Sequence, residues 1–503
     1  MGTLPSAAVP SSSATPPIHA VPTALPPTSL PRVLGYWTAT AVVAGTIIGS
    51  GIFFKPNVIA QQVPYSGLVA LVWLLGGGLT LLGALIYAEV CVVLPQAGGN
   101  YVFLRESYGR LFGWMWGWVD FWMIRSGSLA ALAIAFTSSL HDIYQSRGNA
   151  ALSEWGLRGL AVGVLLILGV VNMRGVRLGG GLQLVLTLIK VGTIVGLALL
   201  PALVWCWPGA SPDGFVPSTQ NLQPIWPETW SLAIAAGMAS ALLSVLWPYH
   251  GWMNIAPIAG EVRDPGRTLP WALLTGVSVV VVLYLSCNVA YYLTLPGAEL
   301  ARSETPATQV AQRLLGPAGA IFVSFVILCS TFGSLNGNIL VGPRLLFAMG
   351  ADSLAPRWLH AVHPRWQTPA PAIAVLVGWS VLLVLGVGLF ASGKKPFDQL
   401  TDFAMFGAVL FETMAVLAIF RLRQTRPDAP RPYRCPGYPW LPALYVLLPL
   451  VILTNMLSRW ESVLEAAIGL AFLGLGVATY YALGLHRPRP QPRPHHAATE
   501  VPS

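Results

Sequence analysis

Charge is what this sequence has least of. Asp, Glu, Lys and Arg make up 9% of its 503 residues, against roughly 25% in ordinary soluble domains. A soluble protein of this size could not cover its surface with so few charges. That excludes a cytosolic enzyme, a secreted domain and a disordered regulator. Cysteine is also scarce. Cys91, Cys206, Cys287, Cys329 and Cys435 lie far apart with no CxxC spacing, so neither a disulfide framework nor a metal site is expected. The eight histidines form no HExxH and no ligand cluster, and no cofactor is implied. The net charge of +9 comes from scattered basic residues, which is no nucleic-acid signature. Residues 1–31 lack an apolar core segment, so no cleavable signal peptide is expected.

What the chain has in abundance is apolar sequence. Hydrophobic residues make up 55% and the mean hydropathy is +0.65. Lipid is the solvent that suits such a chain, and each span needs about 20 apolar residues. Twelve apolar segments are present, at about 34–61, 67–94, 111–140, 155–173, 181–205, 231–259, 270–295, 317–348, 369–391, 399–422, 440–458 and 462–485. Continuous apolar runs with short polar joints mean helices and not barrel strands. The expected fold is therefore an all-α integral membrane protein with twelve transmembrane helices, occupying 34–486. Residues 1–33 form a Pro-rich tail and 487–503 a basic Pro-rich tail, and both read as disordered. The Pro/Trp-rich joint at about 206–230 reads as a lid-like cover.

Lys and Arg set the expected orientation. Of 28, 18 fall in joints on the side of the N-terminus and 7 on the other. Lys55, Arg125 and Lys190 lie within or at the ends of spans. This bias puts both termini in the cytoplasm of a cell membrane.

Two segments carry breaks. The first reads AVVAGTIIGSGIFFKP, with Gly49, Ser50 and Gly51 near mid-membrane. GxxxG spacing alone also fits a close-packed helix pair. Yet Gly-Ser-Gly is a poor helix former, and backbone exposed at that depth is tolerated only where it lines a cavity. The sixth segment reads ALLSVLWPYHGWMNIAPIAGEV, with Pro248 and Gly251 near its middle. A simple proline kink is the plain alternative. Breaks at matching places in two five-helix halves point to a transporter with inverted repeats.

These residues resemble the amino acid–polyamine–organocation superfamily. The resemblance rests on GTIIGSGIF, YAEVCVVLPQAGGNYVFLRESYG, IRSGSLAALAIAF and GWMNIAPIAGEVRDPGRTLP. STFGSLNGNILVGPRLLFAMG and RPYRCPGYPWLPALYVL are similar to its L-type amino acid transporter branch. It implies a LeuT-type fold, with helices 1–5 (34–205) and 6–10 (231–422) as inverted repeats and helices 11–12 (440–485) as accessories. It also implies alternating-access transport. The substrate carboxylate would then sit at Gly49, Ser50 and Gly51, and the ammonium at Trp247, Pro248, His250 and Gly251. Helix-start N–H groups suit the anion and free carbonyls suit the cation. Two positions depart from the pattern. His250 stands where relatives often have Gly, Ser or Asp, and Met253 where they often have Asn. Residues 141–155 contain no cysteine, so no disulfide-linked heavy chain is expected. A homodimer is left open.

The remaining intramembrane charges are candidates in their own right. A central Lys costs roughly 2.5–3.5 kcal/mol on insertion scales, so Lys190 must face the bundle. By resemblance it either tethers helices 1 and 8 or carries a coupling proton. His250 is either a core histidine at a kink or a pocket residue that repels cationic side chains when protonated. Glu412 either pairs with a basic group or titrates. Asp120 and Arg125 read as structural. Glu89, Glu261 and Arg344 suit gate salt bridges or interfacial charges, and Asn338 suits a pocket amide or helix glue. Ser330 and Thr331 could imitate a sodium-site hydroxyl pair. The function expected is exchange or facilitated transport of neutral L-amino acids. The alternatives are a proton-coupled symporter and a membrane sensor that keeps the fold. No enzyme motif is present.

Overall fold

The computed structural model describes residues 32–487, apart from 97, 146–149, 208, 210, 213, 304, 387–395 and 458–459. Side chains are also left out of the description at 142, 176–180, 396–407, 448 and 451–468. The two tails read as disordered lie outside the described residues, save for their innermost positions.

The described chain is helical, with one isolated bridge between Leu34 and Val262. The first span is split into α1 (Tyr36–Ile47) and α2 (Gly51–Gln62). Next come α3 (Ser66–Val93) and the short α4 (Asn100–Tyr108). The third span is α5 (Arg110–Val119), a π turn at Asp120–Arg125, and α6 (Ser126–Gln145). It is followed by α7 (Glu154–Met173) and α8 (Val176–Cys206). The second half again opens on a broken span. α9 (Leu232–Tyr249) ends at His250, and a 3-10 helix runs from Trp252 to Glu261. Beyond it lie α10 (Pro265–Thr294), α11 (Gly297–Arg302), α12 (Pro306–Leu315), α13 (Pro317–Val341) and α14 (Pro343–Ala351). The last elements are α15 (Ala370–Gly386), α16 (Pro396–Thr425), α17 (Trp440–Leu457) and α18 (Trp460–Ala482).

Eight helical stretches among the described residues are long and apolar enough to cross a membrane, and Ala370–Gly386 and Gly469–Ala482 are shorter apolar helices. This is the all-α, LeuT-type class. Local chemistry explains the starts. Ser153 and Ser231 accept from Gly156 and Ile234 N–H as N-caps, and Pro opens α10, α12, α13 and α14. The periphery is apolar, with Leu166, Ile167, Leu188, Val282 and Phe325 exposed. Trp37, Trp155 and Trp440 are exposed at helix starts, where an aromatic belt meets the membrane–water interface.

The broken spans sit at the centre. α1 packs on α10, α8 and α13, and also on the 3-10 helix of the sixth span. The N–H groups of Val33 and Leu34 donate to Glu261 O at 2.9 Å, and Arg263 N–H returns to Leu34 O at 2.8 Å. The entry to the first span is thus stitched to the exit of the sixth. The 206–230 joint packs onto the start of α3, where Ser66 and Gly67 N–H donate to Pro224 and Ile225 carbonyls at 3.1 and 3.0 Å.

Candidate functional site

The two breaks touch. A Cβ built on Gly51 would come within 2.7 Å of Pro248 Cα. One built on Gly251 would come within 2.7 Å of Thr46 O, and Gly251 also has φ +110°. Glycine is therefore required at both by direct contact between backbones. Thr46 Oγ1 donates to Gly251 O at 3.0 Å. The Tyr284 hydroxyl, from α10, lies 3.2 Å from both Ile47 O and Pro248 O. It serves carbonyls that each broken helix leaves without an intrahelical partner.

A cavity lies between the breaks. Gly49, Ser50, Gly51, Trp247, His250 and Gly251 line it, joined by Ser128, Asn254, Ser334 and Asn338. Pro248 is not in its wall; it backs Gly51. Ser50 Oγ and Ser128 Oγ are buried without a hydrogen-bond partner among the described residues. Buried hydroxyls of that kind favour a polar ligand. No carboxylate side chain is part of this lining.

Lys190 lies outside the cavity, behind the first break. Its Nζ donates to Gly45 O at 2.8 Å, Ile48 O at 2.6 Å and Ser334 Oγ at 2.7 Å. Ser334 Oγ in turn lies 3.0 Å from Ile48 O. The ammonium, 1% exposed, thus has three acceptors for its three donors and ties α8 to both α1 and α13. Ser330 Oγ donates to Gly49 O at 3.2 Å, whereas Thr331 bonds back to its own helix.

Arg125 and Asp120 belong to the site more closely than their spacing suggested. The π turn puts them at i and i+5, with Nη2 3.4 Å from Asp120 Oδ1. Arg125 Nη1 donates to Asn254 Oδ1 at 2.7 Å and Asn338 Oδ1 at 2.8 Å. One guanidinium therefore orients two cavity amides, on the sixth span and on α13. Asn338 Nδ2 donates to Ser334 O at 3.0 Å.

His250 and Glu412 are brought together. His250 Nε2 stands 3.0 Å from Glu412 Oε1. His250 lines the central cavity. Glu412 lines two neighbouring ones, the first shared with His250, Thr80 and Tyr445 and the second with Asp120 and Arg125.

The remaining predicted charges form clasps at one end of the bundle. Glu261 and Arg344 are 0% and 1% exposed, with Arg344 Nε donating to Glu261 Oε1 at 3.0 Å. Glu89 receives Arg423 Nε and Nη2 at 2.9 and 2.7 Å and Cys435 N–H at 2.7 Å. Arg431 Nε lies 3.3 Å from the same carboxylate. Arg105 and Asp352, and Arg426 and Glu106, pair at the same end. Arg125, Ser128, Asn254, Tyr284 and Ser334 are site residues that sequence reasoning missed or left as structural. The mid-span charge of Arg125 was the one signal that could have marked any of them.

A multi-pass membrane protein with two broken helices around a cavity lined largely by backbone and small polar side chains has the architecture of a solute transporter. A family model described as amino acid permease matches residues 34–473, so the chain belongs to that family. The chain is 31% identical to the serine/threonine exchanger SteT of Bacillus subtilis, covering 90% of this chain and 97% of SteT. It is 29% identical to the human b(0,+)-type amino acid transporter 1, covering 91% and 90%. It is also 29% identical to the human large neutral amino acids transporter small subunit 2, covering 92% and 82%.

Proposed function

We propose that this chain exchanges, or passes down their gradient, small neutral L-amino acids by alternating access, with no bond made or broken. The observation that carries this reading is the cavity at the two breaks. Its wall offers Gly49–Gly51 backbone on one side and the Trp247–Gly251 backbone on the other. The substrate carboxylate sits at the N–H groups that start α2, and its ammonium at the carbonyls that end α9. The side chain then meets Ser128, Asn254, Ser334 and Asn338, which offer hydrogen bonds and little room. The serine/threonine specificity in the name of the B. subtilis relative agrees with that wall.

Lys190 is the tether between the first break and α13 that makes the break respond when the halves move. Glu261–Arg344 and the Glu89 clasp hold the end on the side of the N-terminus closed, as an inner gate would. The Lys and Arg bias supports cytoplasmic termini in a cell membrane. The absence of cysteine from 141–155 supports a chain that works without a disulfide-linked heavy chain. The test is a competition screen. Purified protein in liposomes takes up labelled serine, and each unlabelled amino acid is added in turn, with and without sodium. At about pH 5.5, inhibition confined to small neutral amino acids supports the reading. Absence of saturable uptake across the panel shifts weight to the sensor alternative.

A further inference from the structure

The wall charges beside the cavity do not balance. Asp120 and Arg125 face each other at 3.4 Å, so their charges offset locally. Among the described residues, Glu412 then has one direct charge partner, His250, at 3.0 Å, while the Asp120–Arg125 pair lines a neighbouring cavity with it. The other titratable groups packed around the pair are Tyr87 of α3, Tyr249 of α9 and Tyr445 of α17, and neutral phenols do not change the sum. Lys190 is committed to Gly45, Ile48 and Ser334 on the far side of the first break.

Ring chemistry sets two states. With Glu412 ionised its carboxylate only accepts, so Nε2 then carries the proton of the 3.0 Å contact. A second proton goes to Nδ1. With it the pair is neutral overall; without it the wall carries one uncompensated negative charge. His250 is the side chain that presents this difference to the cavity, because it lines that space while Glu412 stands behind it.

We infer that the His250–Glu412 pair is the residue pair that sets substrate side-chain charge, and that a proton is its switch. With His250 protonated, the cavity rejects ammonium and guanidinium side chains and takes neutral ones. With His250 neutral, Glu412 supplies the counter-charge and a cationic amino acid becomes a competing ligand. Proton and cationic side chain are thus mutually exclusive occupants of one charge site. This inference rests on the transport reading above and adds a conditional ligand class to it.

The experiment is lysine inhibition of labelled serine uptake in liposomes holding the full chain. It is run at about pH 5.5 and at about pH 8.5. In the wild type, the lysine concentration for half-inhibition is expected to fall by about tenfold or more at the higher pH, as befits one added charge near a partly desolvated site. In Glu412→Gln, lysine inhibits poorly at both pH values. In His250→Gln, lysine inhibits at both. The two variants move in opposite directions, which a shared folding defect would not do. Wild-type lysine inhibition that ignores pH overturns the inference while leaving transport intact. So does a Glu412→Gln profile matching the wild type. Absence of serine uptake at every pH overturns the transport reading and this inference with it.

Discussion

The Lys190 ammonium stands 2.7 Å from the Ser334 hydroxyl, and both reach the carbonyl of Ile48 at the first break. A mid-membrane cation is thereby spent on unwound backbone rather than on a carboxylate. Lys190→Met keeps the stem and removes all three bonds. The expected result is loss of at least about tenfold in uptake rate, since hydrogen bonds to a charged group contribute roughly 1.5–3 kcal/mol each. Ser334→Ala removes one of the three acceptors and should lose less. Rates are compared per mole of monodisperse protein; wild-type transport by Lys190→Met would contradict the tether.

The glycines at the breaks are not equivalent. Gly251→Ala meets both a left-handed backbone and Thr46 O, and Gly51→Ala meets the backbone of Pro248. Strain of roughly 1–2 kcal/mol from the backbone alone is expected at Gly251, with the clash added. Gly49→Ala meets nothing nearer than Ser334 Oγ, at 3.4 Å. Thermal unfolding in detergent should show Gly251→Ala and Gly51→Ala clearly destabilised and Gly49→Ala close to wild type. Equal shifts in all three would show that the breaks are not in contact.

The Glu261–Arg344 pair is buried on both sides. Arg344→Ala leaves a carboxylate with no counter-charge in the interior, a change that costs about 3–5 kcal/mol. Replacing both residues by apolar ones, Glu261→Leu with Arg344→Leu, should recover part of that loss. Unfolding midpoints for the two singles and the double give the coupling. A double variant as unstable as the sum of the singles would argue against a direct pair.

Glu89 links α3 to the segment after α16, and Cys435 reports on that clasp. Burial first, and the Glu89 carboxylate second, push its thiol up to about 11. Thiolate is the reacting form, so near neutral pH very little is present, and labelling should rise with pH up to that range. Maleimide labelling of Cys435 at about pH 8 should therefore be slow and should quicken in Glu89→Gln, which weakens the clasp and removes the carboxylate that raises the thiol. Cys435→Ser supplies the background from the other four cysteines. Fast labelling of the wild type would show that the clasp is open at rest.

Part of this architecture was readable from the sequence for physical reasons. Gly-Ser-Gly at 49–51 and Pro248 with Gly251 interrupt apolar runs, and an apolar run is a strong signal. Lys190 stood out because a mid-span charge is costly. The short helices α4, α11 and α12 did not stand out, since they are too short or too polar to register as apolar runs. Contacts between helices were hidden as well. His250 and Glu412 are separated by 162 residues, and no spacing rule in one sequence connects them. Arg125 read as structural because its partners, Asn254 and Asn338, lie on two other spans. The 3-10 character of Trp252–Glu261 was equally hidden, although Pro257 lies inside it.

The central claim is that the cavity between Gly49–Gly51 and Trp247–Gly251 carries small neutral amino acids across the membrane. Counterflow tests it most directly. Liposomes containing the purified chain are preloaded with unlabelled serine, and entry of labelled serine is followed with no ion gradient imposed. Transient accumulation above equilibrium, lost in Gly251→Ala and absent when the liposomes are preloaded with glutamate, is the predicted result. Entry no faster than into protein-free liposomes, from a preparation that is folded and monodisperse, would contradict the account.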